Sequence, residues 1–195
     1  MPTYNFTPRL SDAGMMNNPL WYSTLNPYWS SGWPLANCTT YCFGRTMEVL
    51  RDAGYPNWDT ETYTDLCGTM HDNAWTWYTS TRWATGQEPA LGCVMVYDTI
   101  DLNTGEVIGN PGHVAQVEES IDANTIVISE SHYQGTYFDT RTVTRADGWY
   151  TPGWNIRYKG CIYLPISVTP GGSYDLIILL ASMLRKKKRK KGGLI

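Results

Sequence analysis

The chain has 195 residues, enough for one domain and a short appendage; 42% are hydrophobic and 17% charged. That balance excludes a wholly disordered chain, five cysteines are too few for a disulfide scaffold of this length, and no apolar run reaches the roughly 18–20 residues that span a bilayer. The net charge of −3 hides an asymmetry: seven of the fifteen basic residues form the run Arg185 to Lys191, leaving eight against eighteen acidic residues elsewhere, so the body has no basic face and no nucleic-acid partner is expected.

The chain starts MPTYNFTPRL, with no apolar run behind a basic patch, so synthesis without a secretory signal is expected. Residues 1–36 show no sustained period and read as an irregular lead-in. Residues 38–53, CTTYCFGRTMEVLRDA, predict one amphipathic helix, with Asn37 as N-cap and Gly54 and Pro56 at its end. Gly44 inside it is a local weakness. Residues 57–85 read as short helices. From residue 91 the texture becomes strand-like: 92–98, 113–120, 125–133, 136–144 and 160–165, separated by turns such as Asn103-Thr104-Gly105. Helices followed by strands predict an α+β domain over residues 1–168, with N-terminal helices packed on an antiparallel sheet of about five to six strands. Residues 169–174 read as a linker, and 175–195 as a short apolar segment with the basic tail.

Cys38 is the first candidate for chemistry. At the start of the predicted helix, its sulfur faces unpaired backbone N–H groups and the positive end of the helix dipole, which favours thiolate. The competing reading is a small buried hydrophobe, the usual fate of a free Cys. The chain has three histidines. His113, after Asn110-Pro111-Gly112, sits at a strand mouth suited to a general base. His71 lies in a polar stretch and reads as a solvated surface residue. Glu130 closes the strand TIVIS, where its carboxylate could orient the His113 ring; the competing reading is a solvated strand-end charge. Cys42, one turn after Cys38 on the same helix face, is a rival thiol in principle and reads as core.

The ordered set Asn37-Cys38-Thr39-Thr40-Tyr41, Pro89-Ala90-Leu91-Gly92-Cys93-Val94-Met95-Val96-Tyr97, Gly112-His113-Val114-Ala115-Gln116-Val117-Glu118, Ile128-Ser129-Glu130-Ser131-His132-Tyr133 and Gly160-Cys161-Ile162-Tyr163 resembles the CHAP family, the cysteine- and histidine-dependent amidohydrolases and peptidases that cut peptidoglycan. The resemblance implies a papain-like fold, with Cys38 as nucleophile, His113 as base and Glu130 as third residue. Asn37, Tyr41 and His132 fall at substrate-facing or auxiliary positions. Two departures stand out: Thr40 where the family commonly has Trp, and His132 where it commonly has Asn.

The resemblance implies peptidoglycan as partner and no cofactor. Some relatives bind calcium through acidic residues ahead of the nucleophile, but residues 13–37 contain no Asp or Glu, so no metal is expected there; no Cys or His pair stands at zinc-finger spacing, so zinc is not expected either. Cys93 and Cys161, each at a predicted strand start, are expected to be neighbouring reduced thiols. The run 185–191 could draw the protein to anionic membrane or wall polymers, or be an idle solvated tail. The whole implies a phage or prophage lysin, made in the host cytoplasm and acting at the cell wall by hydrolysing an amide. The other reading is a virion-associated or wall-binding protein of the same fold with weak or no catalysis.

Overall fold

The computed structural model describes residues 3–150 and 153–171. The chain forms β1 (Thr3–Phe6), α1 (Pro19–Tyr22), α2 (Pro27–Ser30), α3 (Cys38–Asp52), α4 (Trp58–Asp65), a 3-10 turn (Ala74–Thr76), α5 (Trp77–Ser80), β2 (Thr85–Gly86), β3 (Val94–Ile100), β4 (Val107–Asp122), β5 (Thr125–Glu130), β6 (Asp139–Thr144), β7 (Ile156–Ile162) and β8 (Ser167–Pro170). Six strands make one antiparallel sheet in the order β2-β7-β3-β4-β5-β6. This is an α+β arrangement, with α3 packed on β4.

The sheet is buried on both faces, which explains the unbroken apolar run in β3. Val94 and Val96 join Val114 and Ile162 beneath the helices. Met95 and Tyr97 face the other way, into Ala115, Val117, Ile126, Ile128 and the loop residues Trp149 and Tyr150. A strand covered on both sides loses the alternation of a half-buried one.

The lead-in is not irregular. Asn18 and Asn26 cap α1 and α2 with their side chains, and Pro19 and Pro27 open each first turn. Elements of four residues are too short to show a period. β1 pairs in parallel with β8, with Phe6 opposite Pro170, so the expected linker begins inside a strand. The expected apolar segment and basic tail, 175–195, lie outside the described residues. No helix of the described residues is long and apolar enough to cross a membrane.

Helix α3 starts where the Asn37 side chain accepts a hydrogen bond from the Thr39 N–H, and Gly54, at φ +66°, follows its end. It departs from the expected amphipathic pattern, because every residue from Cys38 to Leu50 is buried. The lead-in covers the face that a surface helix would give to water. Gly44 makes this closure possible: a Cβ there would lie 2.4 Å from Trp21 Nε1, and that indole donates to the Tyr41 carbonyl.

Two charges inside this packing are matched. Arg45, 3% exposed, grips the wholly buried Glu118 of β4 through Nε (3.0 Å) and Nη2 (2.8 Å), and reaches Glu48 through Nη1 (2.6 Å). The Arg9 backbone N–H also donates to Glu118. Ser129 donates to Glu118 and accepts from the Tyr41 hydroxyl. Removing one partner of such a pair strands the other charge, which costs about 3–5 kcal/mol. Arg45→Met is therefore expected to lower unfolding free energy by about that amount in urea titration, and adding Glu118→Leu to recover most of it.

Candidate active site

Cys38 sits in the first turn of α3, 9% exposed, on the wall of a cleft of about 460 Å³. Tyr28, Trp33, His71, Asn73, Gly112 and Tyr133 contribute to the same cleft. Cys42 lies one turn deeper and is fully buried; desolvation, then the charges of Cys38, Glu130 and Glu118, push its thiol well above the usual range. Of the two thiols on this helix face, only Cys38 reaches the cleft.

His113 occupies β4, opposite Tyr97 of β3. Its backbone is aimed by Gly112, at φ +70°, where a Cβ would lie 2.6 Å from both the Trp75 N and the Tyr97 carbonyl oxygen. The Gly112 N–H donates to Thr99. The His113 ring lies beside Cys38 and, through Nε2, 2.7 Å from Glu130 Oε2. With Nε2 on the carboxylate, Nδ1 is the nitrogen left for the thiol. Burial alone would lower the imidazole pKa, but the hydrogen bonds and charges of Cys38 and Glu130 override it and raise it to about 10.

Glu130 ends β5 with no exposed surface. Oε2 accepts from His113 Nε2 and from the Tyr150 hydroxyl at 2.7 Å. Oε1 accepts from Arg141 Nε of β6. Desolvation would push this carboxyl up; the hydrogen bond from His113 and the charges of His113 and His132 hold it well below the usual carboxylate range. It is a buried anion, not a solvated strand-end charge.

The structure brings Cys38, His113 and Glu130 into one connected line. His132 stacks on His113, with ring centroids 5.2 Å apart and planes within 7°. Asn37 caps α3 and also accepts from the Thr39 hydroxyl. Tyr41 is not on the substrate surface: it is wholly buried, and its hydroxyl donates to Ser129. Thr40 is buried too, donating to the Trp33 carbonyl and accepting from Asn26 through its own carbonyl.

His71 departs from its expected solvated position. It sits at φ +45°, its ring packs 4.4 Å from Tyr63, Nε2 donates to the Tyr63 carbonyl, and it lines the cleft. Arg141 and Tyr150 escaped the sequence reading. The signal for Arg141 was its place on the strand beside Glu130, since Ile128 pairs with Arg141 and the next residue on that face is Glu130. Tyr150 stood in the aromatic cluster Gly148-Trp149-Tyr150 with nothing in the sequence to tie it to a carboxylate. Cys93 and Cys161 are both buried, with Sγ atoms 2.9 Å apart and no bond between them.

The sequence model of the CHAP domain matches residues 26–132, over half of the chain. A crystal structure of an N-acetylmuramoyl-L-alanine amidase from Staphylococcus aureus is similar with a TM-score of 0.40 and 24% identity, over 58% of this chain and 28% of that one. No curated protein sequence matches significantly. The chain thus spans well under a third of the length of that amidase.

The backbone clash at Gly112 makes a specific expectation. Gly112→Ala should fold but shift His113, and a displacement near 1 Å at a reacting group costs about 10²-fold in rate. Alkylation of Cys38 by iodoacetamide, followed by mass spectrometry, is expected to slow in the same variant, because the displaced imidazole no longer supports the thiolate.

Proposed function

The chain belongs to the CHAP domain family, and on that premise we propose that it hydrolyses an amide bond of the bacterial cell-wall peptide through Cys38, His113 and Glu130. The observation that carries this reading is a cleft thiol beside an imidazole that is itself hydrogen-bonded to a fully buried carboxylate. The Cys38 thiolate attacks the amide carbonyl. The carbonyl oxygen becomes an oxyanion that the free N–H groups of the first turn of α3, including that of Cys38, stabilise. His113 gives its Nδ1 proton to the leaving amine, which breaks the C–N bond and leaves an acyl-enzyme. Water then attacks the thioester with His113 accepting its proton, and the acid product leaves. Throughout, Glu130 holds the Nε2 proton and so fixes the ring's tautomer and orientation.

We place the protein as a phage or prophage lysin made in the host cytoplasm, with the basic run 185–191 supplying attraction to anionic wall or membrane polymers. Removing residues 173–195 is expected to slow lysis of whole cells at low ionic strength, to matter less at high salt, and to leave digestion of purified peptidoglycan unchanged.

The deciding experiment is mass spectrometry of purified walls treated with the intact protein, Cys38→Ala and His113→Ala. The intact protein is expected to release fragments whose new amino termini name the bond. Cys38→Ala should release none, and His113→Ala at least about 10²-fold less. Sedimentation of the protein with walls, with no fragments released from several wall types, would overturn the hydrolase in favour of a wall-binding protein.

A further inference from the structure

The His132 side chain is 15% exposed, yet its inner nitrogen sits in a place that its neighbours do not explain. Its Nε2 has no hydrogen-bond partner, although it lies 3.2 Å from Glu130 Oε1. One face of its ring is stacked on His113, and Trp154 packs 5.1 Å away. Two imidazole nitrogens therefore flank the two oxygens of one carboxylate: His113 Nε2 at Oε2 and His132 Nε2 at Oε1. The donor atoms of His113, Glu130 and His132 all lie within 4.8 Å of one another.

This donor set has a chemical meaning beyond proton transfer. Tetrahedral Zn²⁺ bound at about 2.0–2.1 Å holds its donors roughly 3.4 Å apart, so closing the widest separation by up to about 1.4 Å and opening the 2.7 Å His113–Glu130 contact by about 0.7 Å seats all three on one ion. Two imidazoles and one carboxylate suit a borderline transition ion, whereas Ca²⁺ needs six or more oxygens. The obstacle is Arg141, whose guanidinium occupies Oε1. Its side chain is 23% exposed, so it can swing to solvent and leave room for a water as fourth ligand.

We propose that His113, Glu130 and His132 form a site for a divalent transition ion of the Zn²⁺ class, and that filling it switches the hydrolase off. The ion takes the Nε2 lone pairs of both rings and one carboxylate oxygen, and any Nε2 protons go to solvent. A metal on His113 Nε2 fixes a proton on Nδ1. The ring then cannot take a proton from Cys38 or from water, and Glu130 no longer orients it. The binding half of the proposal stands on geometry; the inhibitory half rests on the roles given above to Cys38 and His113.

The test uses the full chain carrying Cys38→Ala, which removes the competing cleft thiol. Zn²⁺ is titrated calorimetrically, and Co²⁺ is followed by its visible d–d absorption. One equivalent is expected to bind. Adding His132→Asn should weaken binding about tenfold or more. Adding Arg141→Gln should tighten it severalfold, because the competing cation is gone. In the protein with Cys38 intact, the same Zn²⁺ range should abolish wall digestion and a chelator should restore it. No binding to Cys38→Ala, or equal affinity after His132→Asn, overturns the site. Should His132→Asn fail to fold, unchanged or weaker binding in Arg141→Gln overturns it instead. Binding with no loss of digestion overturns the inhibitory half alone. A protein that digests no wall under any condition refutes the proposed function, while the titrations still decide the metal site.

Discussion

One buried ion pair sets the spacing on which the rest depends. Arg45 belongs to α3 and Glu118 to β4, and neither has appreciable contact with water. The same helix carries Cys38 at its start, and the same strand carries His113. Cys38 and His113 thus sit on two rigid elements, joined by a two-pronged contact that tolerates little sliding or rotation. The lead-in is tied into the same knot, since Arg9 meets Glu48 and donates its backbone N–H to Glu118. A charge pair in that position contributes geometry more than net stability, because its attraction is largely offset by desolvation.

Glu130 solves the opposite problem. A lone buried carboxylate would protonate, yet orientation of an imidazole calls for an anion. Donors from three different elements meet it: His113 from β4, Arg141 from β6 and Tyr150 from the loop after β6. The sheet supplies two of the three through neighbouring strands. The polar centre can therefore lie against an apolar layer of Tyr97, Ile126 and Ile128 without an unpaired charge.

Much of this was legible in the sequence where the local signal was strong. Asn37 before an uninterrupted 15-residue helix, and apolar runs broken by turns, set the α+β plan and put Cys38 and Glu130 at element ends, whereas His113, expected at a strand mouth, lies inside the long β4 because the ladder with β3 continues past the Asn110-Pro111-Gly112 turn signal to Val107. Where tertiary contacts decide, the sequence was silent or misled. The pattern of α3 looked amphipathic because Arg45, Glu48 and three threonines dilute it, yet all are buried, the charges by pairing. Strands β1 and β8 are four residues each and depend wholly on one another. The polar setting of His71 suggested water, but a left-handed backbone turns its ring into a nest of aromatics. The stacking of His132 on His113 was latent in the strand register: Gln116 pairs with Ser129, and three steps further the two histidines face each other.

The parallel pairing of β1 with β8 joins residues more than 160 positions apart, Thr3 with Ser167 at one end and Phe6 with Pro170 at the other. A ribosome delivers the first strand long before the last. Until Ser167–Pro170 emerge, Thr3–Phe6 has no strand partner, and Phe6, wholly buried at the end, has Leu164 and Ile166 to pack on but no ladder to hold it there. Contacts of such long sequence separation close late, because the intervening loop must first be organised. Closure of this small sheet is thus a late event: a chain truncated before residue 167 would present an unpaired N-terminal strand edge beside a Phe6 that nothing anchors, a ready target for quality control or aggregation.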